Sequence, residues 1–182
     1  MGSELPGFSQ TTASFEAPLE MLAACHGRIR DKCATLLRLR THVAAHGADP
    51  AARTAARSVI RYFDSSARHH HDDEEQDLFP ALLESMAGSD PVCIRELTAG
   101  LVEDHRRLQE LWGPLRNWLV AVQGGKAPAP DDAAIEAFAA LYERHATREE
   151  QELFPMAERL LGADELDRIG RAMRLRRGVP SV

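Results

Sequence analysis

The chain has 182 residues, 44% hydrophobic and 27% charged, with a formal charge of −6. That length suits one domain with a sizeable core, and the acidic balance argues against nucleic acid as a partner. No run approaches the ~18 uninterrupted apolar residues of a membrane span, and Met1 to Gln10 hold no basic segment leading into an apolar one, so neither a membrane partner nor a secretory signal is expected.

Helical spacing dominates from Pro18 onward, and strand alternation is nearly absent. Pro18 suits a first helical turn. Leu19, Leu22, His26, Ile29, Cys33, Leu36 and Val43 follow as an apolar stripe, and Gly47 is a C-terminal stop. His42 and His46 fall in the last turns, where the helix dipole favours them. The second stripe is Ile60, Phe63, Ala67, His70, Glu74 and Leu78. Ala87 to Asp90 read as a loop, with Asp90 as a cap and Pro91 at the first position of a third helix.

That third helix carries Ile94, Leu97, Leu101, His105, Leu108, Trp112, Leu115, Leu119 and Val122, with a kink expected at Gly113-Pro114. Gly124 to Pro130 is the clearest break in the chain. The fourth stripe is Ile135, Phe138, Tyr142, His145, Glu149 and Leu153, ending before Gly162. A short fifth helix follows, and its Arg168, Arg171, Arg174, Arg176 and Arg177 read as a solvated face. The three cysteines, Cys25, Cys33 and Cys93, show no zinc-like spacing and fit reduced thiols in a cytoplasmic protein. The expected fold is all-α: an up-down-up-down four-helix bundle over residues 15–162, after an extension (1–14) and before a short C-terminal helix and tail (163–182).

The chemistry lies in a duplication. His70-x-x-x-Glu74-Glu75-Gln76-Asp77-Leu78-Phe79-Pro80 recurs 75 residues on as His145-x-x-x-Glu149-Glu150-Gln151-Glu152-Leu153-Phe154-Pro155. Four-residue spacing puts each His and its Glu on one helical face. His26 and His105 precede the two copies, each on an apolar stripe. A lone histidine on such a stripe is more often a hydrogen-bonded core residue, and a lone His-x-x-x-Glu is a common surface pair. Four stripe histidines with two glutamates, in the same order in both halves, point instead to metal. Two carboxylates buried without partners would protonate or pair, and divalent cations remove that cost. The mixed nitrogen and oxygen set suits iron, with manganese or zinc as substitutes.

Only the His70/Glu74 register is shared by both copies, because Ala146 stands where His71 would recur. His69, His71, Glu75 and Glu150 are therefore expected to face outward or to back the ligands. Pro80 and Pro155 lie where helices should continue and predict a kink or a tightened turn.

This order of residues, with Glu-Glu-x-x-Leu-Phe-Pro in each copy, resembles the hemerythrin-like HHE cation-binding domain in its bacterial, stand-alone form. The resemblance covers roughly residues 15–162. It implies a four-helix bundle with an oxo- or hydroxo-bridged di-iron centre. One metal would take His26, His70 and Glu74, the other His105, His145 and Glu149, with both glutamates as bridges. One departure concerns the fifth histidine of the oxygen carriers: four residues either side of His105 stand Leu101 and Gln109. One imidazole fewer leaves open metal positions for oxygen, nitric oxide or peroxide. The implied roles are a sensor or binder of such a molecule, a di-iron oxidoreductase or iron–sulfur-cluster repair protein, or an iron store. A helical interaction module without metal chemistry is the remaining alternative. No protein partner is readable.

Overall fold

The computed structural model describes residues 14–85 and 92–180, and all the secondary structure it assigns there is helical. The first long helix, α1 (Pro18–His46), starts with proline in its first turn and stops at Gly47, whose φ of 70° suits a residue without a Cβ. The Asp49 carboxylate then accepts a hydrogen bond from the Ala52 N–H at 2.7 Å and caps α2 (Pro50–Arg61).

From Pro50 to Ser85 the backbone never leaves helical geometry, but it is not uniform. Between α2, α3 (Ala67–Asp73) and α4 (Phe79–Ser85) lie two π-helical turns, Tyr62–Ser66 and Glu74–Leu78. The third long helix, α5 (Val92–Gln123), is followed by α6 (Asp132–Arg148), a π turn Glu149–Leu153, α7 (Phe154–Leu160) and α8 (Ala163–Arg176). The cap and first-turn roles expected of Asp90 and Pro91 lie outside the described residues, as does the extension up to Ala13.

Helix α1 packs against α2 and α6, and α5 packs against the same two, so the four long segments close a ring. Buried apolar side chains form two clusters. One gathers Ile29, Leu36, Ala56, Val59, Phe63, Leu115, Leu119, Phe138 and Tyr142; the other gathers Leu22, Leu78, Leu82, Leu101, Leu153, Ile169 and Met173. In each long segment the buried histidines and glutamates fall between these clusters, a polar layer within an apolar core.

Two expectations need correction. At Pro80 and Pro155 the helix widens rather than tightens: Phe79 N–H bonds to the Glu74 carbonyl and Phe154 N–H to the Glu149 carbonyl, each five residues back. A prolyl ring clashes with the carbonyl four residues earlier, and a turn with one extra residue moves that carbonyl away. The π turn at Tyr62–Ser66 has no counterpart in α6. Upstream of it the register slips by one, and Val59, not Ile60, is fully buried opposite the role of Ile135. Helix α5 continues as one helical segment through Gly113-Pro114, both exposed.

The α8 arginines are also more than a solvated face. Arg176 and Arg177 both reach the fully buried Asp73 carboxylate, Arg177 Nη2 at 2.6 Å, and Arg176 spans on to Asp77 at 2.7 Å. The helix is seated by Gly170, where a Cβ would come within 1.9 Å of the Phe15 carbonyl oxygen, and by Arg174 pairing with Glu16.

Candidate metal centre

Each of the four long segments contributes to the polar layer. Helix α1 brings His26, α3 and its π turn bring His70 and Glu74, α5 brings His105, and α6 and its π turn bring His145 and Glu149. None of these six is more than 4% exposed. They meet in two sets. In the first, His26 Nε2 lies 3.1 Å from His70 Nε2 and 2.9 Å from Glu149 Oε2, and His70 Nε2 lies 3.3 Å from Glu74 Oε1. In the second, His105 Nε2 lies 3.1 Å from His145 Nε2 and 3.3 Å from Glu74 Oε2, and His145 Nε2 lies 3.1 Å from Glu149 Oε1. Both carboxylates thus turn one oxygen to each set.

The resemblance implied one glutamate per metal with both as bridges, and here each carboxylate faces both sets. Ligands about 2.1 Å from one ion and at right angles stand ~3 Å apart, which is the spacing seen here. All four oxygens of Glu74 and Glu149, though close to imidazole nitrogens, lack a hydrogen-bond partner, as do Nδ1 of His70 and His145. Buried polar groups are ordinarily paired, each orphan costing ~1–3 kcal/mol, so this layer is built for a group that satisfies several at once.

The charge balance agrees. Burial, then the Glu149 charge, pushes the Glu74 carboxyl well above its usual range. Burial would do the same to Glu149, but the adjoining His145 and His26 imidazoles outweigh it and hold that carboxyl well below its usual range. Burial would lower His145 too, yet the Glu149 charge raises it to about 9. His70 is pushed down by burial and by His26. Without a cation, burial and the neighbouring charges thus favour the protonated forms of Glu74 and His145.

Behind the ligating faces stand the expected supporting carboxylates. His26 Nδ1 meets Glu150 Oε1 at 2.9 Å, and His105 Nδ1 meets Glu75 Oε1 at 2.6 Å. The two supports differ in setting. Arg30 forks onto both oxygens of Glu150, at 2.8 and 3.0 Å, whereas Gln109 stands at the matching place four residues after His105.

Of the two places expected for His71, facing outward or backing the inward residues, the structure shows the second. Its ring points inward, stacked on His105 with centroids 3.9 Å apart and planes 14° from parallel, and it lies 5.9 Å from the rings of Tyr142 and His145. Its Nε2 is buried without a partner, and burial followed by His105 lowers its basicity, keeping the ring neutral. The histidine run at 69–71 was the signal, but adjacent helical residues diverge by ~100°, and spacing alone could not show that two of them turn inward.

The profile of the hemerythrin HHE cation-binding domain matches residues 17–157, which span all six residues and both supporting carboxylates. The chain belongs to that hemerythrin family. Its relatives include a protein of Haemophilus influenzae known only as uncharacterized, 35% identical over 170 residues, 93% of this chain and 95% of that one. The hemerythrin match ends before α8, so the helix that grips Asp73 lies beyond it. No helix among the described residues is long and apolar enough to cross a membrane.

Proposed function

We propose that this hemerythrin-type domain holds a two-iron centre that binds or reacts with oxygen, nitric oxide or peroxide. His26 and His70 would hold one ion and His105 and His145 the other, with Glu74 and Glu149 available to both. The observation that carries this is the pair of fully buried carboxylates, each divided between two imidazole pairs and otherwise unpartnered. The ring of helix contacts is what an up-down-up-down bundle provides around such a centre. Iron bound there supplies open coordination positions and a change of oxidation state.

The chain's own residues do the rest. Glu150 and Glu75 hold the Nδ1 protons of His26 and His105, which leaves each Nε2 lone pair facing inward. Glu74 and His145, whose protonated forms are favoured without metal, would have to be deprotonated to hold it. The apolar clusters on either side keep bulk water out. Two imidazoles per ion leave positions for a small exogenous molecule. A cytoplasmic setting, with Cys25, Cys33 and Cys93 kept reduced, belongs to the same reading.

Elemental analysis of natively purified protein tests it. Two irons per chain are expected in the wild type and a loss of iron in Glu74→Gln and Glu149→Gln. A folded wild type that takes up no ferrous iron on anaerobic reconstitution would sink the reading. Turnover of peroxide separates an enzyme from a carrier or sensor.

A further inference from the structure

His71 is the one inward histidine that the two-metal arrangement leaves unused. A nitrogen of its ring lies within 4.8 Å of ligand nitrogens of both His105 and His145, close enough to suggest a third imidazole on that ion. Ring geometry excludes this. An imidazole binds a metal in its own plane, and two rings stacked with centroids 3.9 Å apart and planes 14° from parallel do not both direct their planes at one ion. His71 stands beside the ion that His105 would hold, not on it.

His71 also forms part of the wall of a cavity of about 40 Å³, lined with Phe63, Ala67, Leu108, Trp112, Phe138 and Tyr142 and completed by the exposed Arg68 and Gln109. A single water needs ~10–15 Å³, so the space admits one molecule of one or two heavy atoms and nothing much larger. The walls are fixed before anything enters. Phe63 packs on Trp112, Phe138 and Tyr142, and the Trp112 indole N–H is anchored on Asp64 at 2.9 Å. Most of the lining is apolar, which suits a neutral molecule, while the buried Nε2 of His71 has no hydrogen-bond partner in the protein.

We propose that this cavity is the antechamber of the metal centre for a neutral molecule of one or two heavy atoms, and that His71 is the positioning residue that hydrogen-bonds to it beside the second ion. The proposal rests on the two-iron reading for the identity of the centre, but the cavity can be tested without metal.

Xenon and nitric oxide are the probes. In crystals pressurised with xenon, one atom is expected in the cavity of both metal-free and iron-loaded protein, and none in Ala67→Leu, which fills a wall position. Leu108→Phe is the second filling variant should Ala67→Leu fail to fold. In iron-loaded protein, either filled variant should slow nitric oxide uptake at least tenfold in stopped flow. His71→Phe should keep two irons per chain, speed nitric oxide release several-fold and shift the N–O stretch in the infrared.

Absence of xenon from the wild-type cavity overturns the proposal whatever the iron content. So does nitric oxide uptake that is unchanged in the filled variants. Loss of one iron in His71→Phe would make His71 a ligand and also overturn it. Xenon bound in a wild type that takes up no iron would instead overturn the two-iron reading, and with it the role of His71, leaving only the cavity.

Discussion

Glu150 stands 2.9 Å from Nδ1 of His26, on the side of the ring opposite Glu149, so two neighbouring residues of one π turn grip one imidazole from both ends. A helix of regular pitch sends adjacent side chains ~100° apart, and His26 spans the gap between them. The same relation ties Glu74 and Glu75 to His105, at 3.3 and 2.6 Å.

Removing a support should therefore weaken the ion without removing a ligand. Glu75→Gln is expected to lower metal affinity about 10–100-fold, as losses behind a metal-bound histidine do. Competition with a chromophoric chelator measures it, and an unchanged constant would show that the His105 ring is held by packing alone.

Helix α8 should matter through Asp73. Replacing both Arg176 and Arg177 with Met strands a buried carboxylate and is expected to cost about 3–5 kcal/mol in urea unfolding. Adding Asp73→Asn removes the stranded charge and should recover much of that loss. No recovery would mean the arginines act by covering apolar surface instead.

Metal binding should depend on pH with a defined sign. His145, raised to about 9, and Glu74, also raised, must shed protons to become ligands, so apparent affinity should climb from pH 6 to pH 9. Calorimetry in buffers of different ionisation heats would register the released protons. For the metal-free fold the sign is opposite. A His145 pKa above the unfolded value of ~6.5 gives stability that is complete below that pH and lost as pH rises through about 9. Denaturation of metal-free protein across that window should show the decline, and His145→Gln should flatten it.

Chelation should couple to stability as well. Ions bound only by the folded state add ~2.7 kcal/mol when free metal is a hundredfold above its dissociation constant. A chelator should thus lower the wild-type melting temperature and leave that of Glu149→Gln unmoved.

The helices, the doubled motif and the six residues of the polar layer were all legible in the sequence, because periodicity and the 75-residue echo are local signals. What escaped it depends on register or on distant partners. A π turn adds a residue without changing composition, so Val59 could not be told from Ile60 as the buried position. His71 was masked by Ala146 in the second copy. The arginines of α8 looked like solvated charges until Asp73, about a hundred residues earlier, was found buried beneath them.

The crossed supports have a further consequence. Glu150 of the second repeat backs His26 of the first, and Glu75 of the first backs His105 of the second. The glutamates ahead of them also reach across the divide. Cut between Ser85 and Val92, the chain would yield two fragments, each holding most of one cage and a single carboxylate of the other, and neither able to close one. Metal would then act as the rivet between them, and reassembly of such a split protein would follow the supply of iron as well as the concentration of its pieces.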